Sequence, residues 1–182
     1  MRVLRVLSKL CSASQNYTVH KQETANKKGI ADISELPAKG RILAIDPGTK
    51  RCGVAVCDEL RITVTPLPRL DRTSWKKLLS NIQNLIAECD AVAVVVGLPL
   101  ESDGSDGPMA LEARDIARKL TLSLNVPVLM QDERVTSYEA KHRLWSAGKS
   151  LEESRNLVDS EAAAIILEDF VLELTRHRPS ST

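Results

Sequence analysis

The segment Ala91–Val96 (AVAVVV) constrains this chain more than any other. A run with no polar face cannot sit at a solvated edge. It suits a central strand with helices covering both sides. The longest apolar stretch ends at Leu98, far short of a bilayer span, so no membrane association is expected.

The flanking segments supply the rest of a sheet. Arg41–Asp46 (RILAID) reads as a short strand ending in an acid, and Pro47–Arg51 as a turn. Gly53–Asp58 and Arg61–Leu67 read as second and third strands. Links this short favour an antiparallel meander, because parallel neighbours need long crossovers. Thr73 or Ser74 can cap a helix with apolar positions Trp75, Leu78, Leu79, Ile82, Leu85 and Ile86. Pro108 suits the first position of a helix that buries Leu111, Ile116, Ala117, Leu120 and Leu124. Val126–Gln131 is a fifth strand, at an edge that tolerates Pro127. Thr136 and Glu139 form a capping box for a short helix through Trp145 that ends at Gly148. A last helix runs from about Leu157 to Leu174, with Leu172 among its apolar positions. Three antiparallel strands and two right-handed crossovers give a mixed five-stranded sheet with helices on both faces. The fourth strand lies beside the first and the fifth beyond it, as in a ribonuclease-H-like α/β fold.

Residues 1–39 differ from the remainder. They hold seven Lys/Arg against three Asp/Glu, a balance of +4, while residues 40–182 hold eighteen against twenty-one, −3. The first 22 residues lack acids and place Arg2, Arg5 and Lys9 among Val3, Leu4, Val6, Leu7 and Leu10. That pattern reads as an organellar transit peptide, chloroplast or mitochondrial; an extension with no address, on a cytoplasmic protein, is the alternative. Residues 23–39 read as a linker, leaving 40–182 as the folded domain. The cysteines Cys11, Cys52, Cys57 and Cys89 lack zinc-ligand spacing and read as reduced thiols. Aromatic residues make up only 3% of the chain, which excludes a module that stacks bases on an aromatic sheet.

Acids then fall at one edge. Asp46 ends the first strand, Asp132-Glu133 ends the fifth, and Asp159 lies near the start of the last helix, on the stripe of Ala163 and Ile166. Carboxylates gathered at a sheet end repel unless a cation joins them. Mg²⁺ or Mn²⁺ suits an all-oxygen site and supports phosphodiester hydrolysis. Each acid also has a plainer reading: Asp46 as a turn cap, Asp159 as an acid favoured by the helix dipole, Glu133 in a surface ion pair.

Four segments resemble the YqgF family, RuvX-like proteins known as Holliday-junction resolvases and pre-16S rRNA nucleases. These are Ala44–Val56 (AIDPGTKRCGVAV), Val96–Leu100 with Asp103-Gly104-Ser105 and Pro108, Asp132-Glu133-Arg134 with Thr136 and Glu139-Ala140, and Val158-Asp159 with Ala162-Ala163 and Ile166-Leu167. The match spans about residues 40–172 in the family's order. It implies divalent-metal nuclease chemistry on structured nucleic acid, either precursor ribosomal RNA or branched DNA. Asp46, Glu133 and Asp159 become the metal-binding catalytic acids. Asp132 is a further candidate, since sequence leaves open which of Asp132 and Glu133 enters the site. Lys50, Arg51 and Arg134 become candidate phosphate contacts.

Two features depart from the family. The segment Gly148–Asn156 carries Glu152 and Glu153 where bacterial relatives tend to have a basic loop, in a 40–182 region that is also net acidic; the N-terminal extension is the other departure and suggests a eukaryotic, organellar version. Phosphate affinity grows with Lys/Arg contacts, so binding is expected to be local to Lys50, Arg51 and Arg134, or to depend on a partner such as the ribosome. A non-catalytic nucleic-acid or ribosome-binding module is therefore the alternative to a nuclease. Either a monomer or a homodimer is compatible with the sequence. A sugar-kinase or actin-type ATPase is excluded, because half a cleft cannot enclose ATP.

Overall fold

The computed structural model of the chain describes residues 30–132 and 151–177. Five strands, β1 (Arg41–Pro47), β2 (Arg51–Cys57), β3 (Val64–Asp71), β4 (Ala91–Leu98) and β5 (Val128–Asp132), form one sheet in the order β3-β2-β1-β4-β5. β1 pairs antiparallel with β2, as does β2 with β3; β4 pairs parallel with β1 and with β5. This is the expected mixed, ribonuclease-H-like sheet. Helices α1 (Trp75–Glu88) and α2 (Pro108–Ser123) supply the crossovers. Helix α3 (Leu151–His177) closes the described part. No helix among the described residues is long and apolar enough to cross a membrane.

Strand alternation divides the core into two layers. Leu43, Ile45, Val54, Val94, Val96 and Val128 pack with Leu78 and Ile82 of α1 and with Ile116, Ala117 and Leu120 of α2. Ile42, Ala44, Ala55, Ala93, Val95 and Leu129 pack with Ala163, Ile166, Leu167 and Phe170 of α3. The valines of β4 thus serve both layers, which is why that strand needs no polar face. Small residues on the α3 side (Ala44, Ala55 and Ala93 against Ala163 and Ala164) let the long helix lie close to the sheet.

Ser74 caps α1, its hydroxyl accepting from the Lys77 amide at 3.3 Å. Pro108 opens α2 after Gly107. Four expectations need correction. The third strand runs over Val64–Asp71 rather than from Arg61. Residues 58–63 make the reversal, with the Asp58 carboxylate accepting from the Ile62 amide at 2.6 Å and the Thr63 amide at 2.8 Å, and Arg61 taking a φ of 60°. Leu111 is 58% exposed, because α2 turns Ala110, Ala113 and Ala117 to the sheet instead. Leu172 is likewise half-exposed on α3. The last helix begins at Leu151, so Glu152 and Glu153 belong to its first turn rather than to a loop.

The end of the polar linker also joins the body. The Ala31 amide donates to the Val128 carbonyl at 2.8 Å, and Asp32 and Glu35 close a capping box around a single 3₁₀ turn, Ile33–Glu35. Leu36 is buried in the α3 layer. Arg61 holds the next residues, Nε donating to the Gly40 carbonyl at 3.1 Å and Nη2 to the Pro37 carbonyl at 2.9 Å. Ile30, Ile33 and Leu36 in a short polar stretch leave too little periodicity to reveal this. The basic extension before residue 30 and the short helix expected through Trp145 lie outside the described residues.

Candidate active site

Asp46 stands one residue from the end of β1 and is half-buried. Ile42 and Ala44 belong to the α3 layer and Leu43 and Ile45 to the other, so alternation assigns Asp46 to the α3 face. Ile45 pairs with Val96, which brings the row of Asp46 beside Gly97 of β4. Gly97 pairs in turn with Gln131, and Leu98 with Asp132. Gly97 has no side chain, so nothing from β4 stands between β1 and β5 in this row. Two parallel-strand spacings make that gap roughly 10 Å wide.

Asp132 shares this end of the sheet but not this face. Val128 and Met130 pack in the α1/α2 layer and Leu129 in the α3 layer, which assigns Asp132 to the side opposite Asp46. Glu133 and Arg134 lie outside the described residues. Asp159 lies within α3, and its backbone is placed by its neighbour. The hydroxyl of Ser160, itself buried, donates to the Leu67 carbonyl of β3 at 2.7 Å. Leu67 pairs with Val54 and Val54 with Ile45, so this part of α3 crosses the sheet one residue before the row of Asp46. The helix starts eight residues before Asp159, so its N-terminal dipole does not account for an acid there.

Beyond Asp46 the chain turns sharply. The Gly48 amide donates to the Asp46 carbonyl at 3.1 Å, so this amide is satisfied by backbone rather than by a capping carboxylate. A Cβ on Gly48 would lie 2.8 Å from the Arg51 carbonyl oxygen, closer than real Cβ contacts allow. Gly48, Thr49, Lys50 and Arg51 line an open recess of about 340 Å³. Lys50 and Arg51 are exposed at its mouth, and neither forms an ion pair among the described residues.

Three contributors were not among the residues expected from the sequence. Arg72, just past β3, donates its backbone amide to the Lys50 carbonyl at 3.0 Å and its Nη1 to the Gly48 carbonyl. Its Nη2 reaches Glu112 Oε1 of α2 at 2.6 Å. Arg72 and Glu112 are 40 residues apart, and nothing local signals the pair. Ser160 did carry a signal: a polar residue on the apolar stripe of Ala164 and Leu167 needs a buried partner.

The loop after β4 is held by its own acids. Asp103 accepts from the Ser105 amide at 2.9 Å, and hydrogen bonds from the Ser105 side chain and then its amide hold this carboxyl below the usual range. Asp106 takes both nitrogens of a fork from Arg114, at 2.8 and 3.0 Å. These acids therefore shape the loop. Among the described residues no three acidic, His or Cys side chains gather at metal-binding spacing, and Glu133 and the Asp159 side chain fall outside that set. The carboxylate of Asp46, beside the bare Gly97 of β4, is a donor type that fits a hard divalent cation and would not fit a soft one.

A family model described as RuvX, Holliday junction resolvase, matches residues 40–173. Curated bacterial proteins named "Putative pre-16S rRNA nuclease" are similar over nearly their whole length. That of Anaeromyxobacter sp. (strain K) is 41% identical over 131 residues, covering 72% of this chain and 96% of the relative. That of Syntrophus aciditrophicus (strain SB) is 36% identical over 138 residues, covering 76% and 92%. Among solved structures, Thermus thermophilus RuvC with a Holliday junction substrate aligns at 16% identity and a TM-score of 0.46, covering 76% of this chain and 97% of that one. The fowlpox virus resolvase with Holliday junction DNA aligns at 12% and 0.48, covering 74% and 98%.

Proposed function

The chain belongs to the RuvX family, and on that premise we propose that it is a nuclease that hydrolyses phosphodiester bonds in precursor ribosomal RNA, with Mg²⁺ or Mn²⁺ as cofactor. One observation carries the reading: the strand register sets Asp46 beside the bare Gly97 at the carboxyl edge, on the face that α3 crosses just after Asp159. Open α/β sheets bind ligands at this edge, where the strand order reverses. The names of the bacterial relatives favour RNA as substrate, while the family description favours branched DNA.

In this reading Asp46 and Asp159 hold the metal with Glu133. Glu133 is preferred to Asp132 because Asp132 falls on the opposite face. A bound divalent ion would supply Lewis-acid stabilisation of the phosphate and an acidified water. The chain's own residues do the remaining work. Lys50 and Arg51, exposed at the recess beyond Asp46, neutralise substrate phosphates, and Arg134 adds a third charge. The backbone of Gly48 lets the turn pass close beneath that recess. Gly97 leaves room for the scissile group between β1 and β5.

Few basic side chains offset the net-acidic domain, so affinity is modest and rises in company with ribosomal partners. The acid-free, basic residues 1–22 support delivery to an organelle, which a fluorescent fusion of residues 1–40 tests directly. For the activity itself, purified protein is offered a precursor 16S leader RNA and a four-way DNA junction with Mg²⁺ or Mn²⁺. Metal-dependent cutting of the RNA supports the proposal. Preference for the junction would reassign the substrate. Cleavage untouched by EDTA, or no cleavage of either substrate, would overturn the nuclease reading in favour of a binding module.

A further inference from the structure

We infer that Arg72 is a positioning residue for nucleic-acid binding, acting through Lys50 and Arg51 rather than touching the substrate; this rests on the reading above. Arg72 ties the Gly48–Arg51 turn to α2: its Nη1 donates to the Gly48 carbonyl and its Nη2 to Glu112 Oε1 at 2.6 Å. Its own amide takes the Lys50 carbonyl at 3.0 Å. Two of the turn's carbonyls, those of Gly48 and Lys50, thus accept from one residue. That residue is 17% exposed at its side chain, with the guanidinium committed to internal acceptors.

Arg51 is held in register with Asp71 of β3, whereas Gly48, Thr49 and Lys50 lie between the strands and lean on the Arg72 contacts. Anchored by a planar fork to a helix, the turn holds both charges at a fixed distance from Asp46. Phosphate contacts set the register of a nucleic acid on a protein and carry its salt dependence. Fixing this turn therefore fixes where the scissile bond falls relative to the acids. Arg suits the task better than Lys, because two acceptors in different elements require two donors in rigid geometry.

The test is a double-mutant cycle on the full chain with a fluorescein-labelled hairpin RNA, binding being read in EDTA across a salt series. Lys50→Gln with Arg51→Gln should weaken binding and flatten the log–log salt slope by about 1.4 to 1.8, the value for two phosphate contacts on single strands or duplex. Arg72→Met should reproduce most of that slope change. Adding the two charge-removing changes to Arg72→Met should then cost less than a further twofold. Arg72→Lys should recover part of the affinity through a single donor. Glu112→Gln keeps the donation to Gly48 and should give an intermediate loss; it decides the matter if Arg72→Met does not fold. Additive losses, or a slope change of only one contact in Arg72→Met, would show that Arg72 meets phosphate itself and overturn the inference. Wild-type affinity in Arg72→Met and Glu112→Gln would overturn it too, while leaving the nuclease reading in place. A wild-type protein that neither binds nor cuts nucleic acid would overturn both.

Discussion

Replacing Gly48 by Ala isolates the geometry of the turn beside Asp46. The added Cβ would sit 2.8 Å from the Arg51 carbonyl oxygen. That oxygen cannot retreat, because Arg51 and Cys52 are held in register with Asp71 and Leu70 of β3, and Cys52 with Pro47 of β1. The turn itself must open. Opening it strains the Gly48 amide bond to the Asp46 carbonyl, 3.1 Å long, and the Arg72 contact to the Gly48 carbonyl. Overpacking of this kind costs about 1–3 kcal/mol, and a hydrogen bond to a charged donor is worth about 1.5–3 kcal/mol. The two losses overlap, since relief of one deepens the other, so a net loss of about 2–3 kcal/mol follows. At about 3–5 °C per kcal/mol for a domain of this size, Tm falls by about 6–15 °C. Thermal unfolding followed by circular dichroism reads this directly, with Thr49→Ala as a control at the exposed tip of the same turn. Gly48→Ala within a degree of wild type would refute the steric argument and, with it, the claim that the recess has a fixed shape.

Other outcomes follow from the two core layers and their edges. Ile166→Ala empties a fully buried site under β1 and β2 and should cost about 2–5 kcal/mol in urea unfolding; a loss under 1 kcal/mol would contradict the packing of α3. Ser160→Ala leaves the Leu67 carbonyl without its 2.7 Å donor and should cost about 1–2 kcal/mol, with hydrogen exchange in β3 speeding up first. The Asp58 carboxyl is held below its ordinary value chiefly by the Thr63 amide, with the Ile62 amide assisting. A depressed folded pKa adds stability above the unfolded pKa and loses it as pH falls through the folded one. The acid limb of a pH–stability curve should therefore flatten in Asp58→Asn, and an unchanged limb would count against those bonds.

The topology was legible because it is written in periodicity and link length. Ala91–Val96 announces a central strand, and links too short for a crossover impose the β1–β2–β3 meander. Details governed by tertiary packing were less so. Ala110, Ala113, Ile116, Ala117 and Leu120 take the buried face of α2, and that helix phase leaves Leu111 outside. The start of β3 was displaced because Asp58 captures the Ile62 and Thr63 amides, which no strand pattern reveals. At the site, the chain order and the strand ends pointed to Asp46 and to the Lys50-Arg51 turn. The Arg72–Glu112 tie was invisible, since its partners share neither an element nor a motif.

The reading turns on whether the Asp46 carboxylate takes part in hydrolysis. Cleavage of a precursor 16S leader RNA by wild type and Asp46→Asn, at matched Tm and in Mg²⁺ or Mn²⁺, measures this. Losing a metal-binding carboxylate removes several kcal/mol of transition-state stabilisation, so the rate should fall by about 10²–10⁴-fold while RNA binding persists. An Asp46→Asn protein that cuts at the wild-type rate would contradict the account.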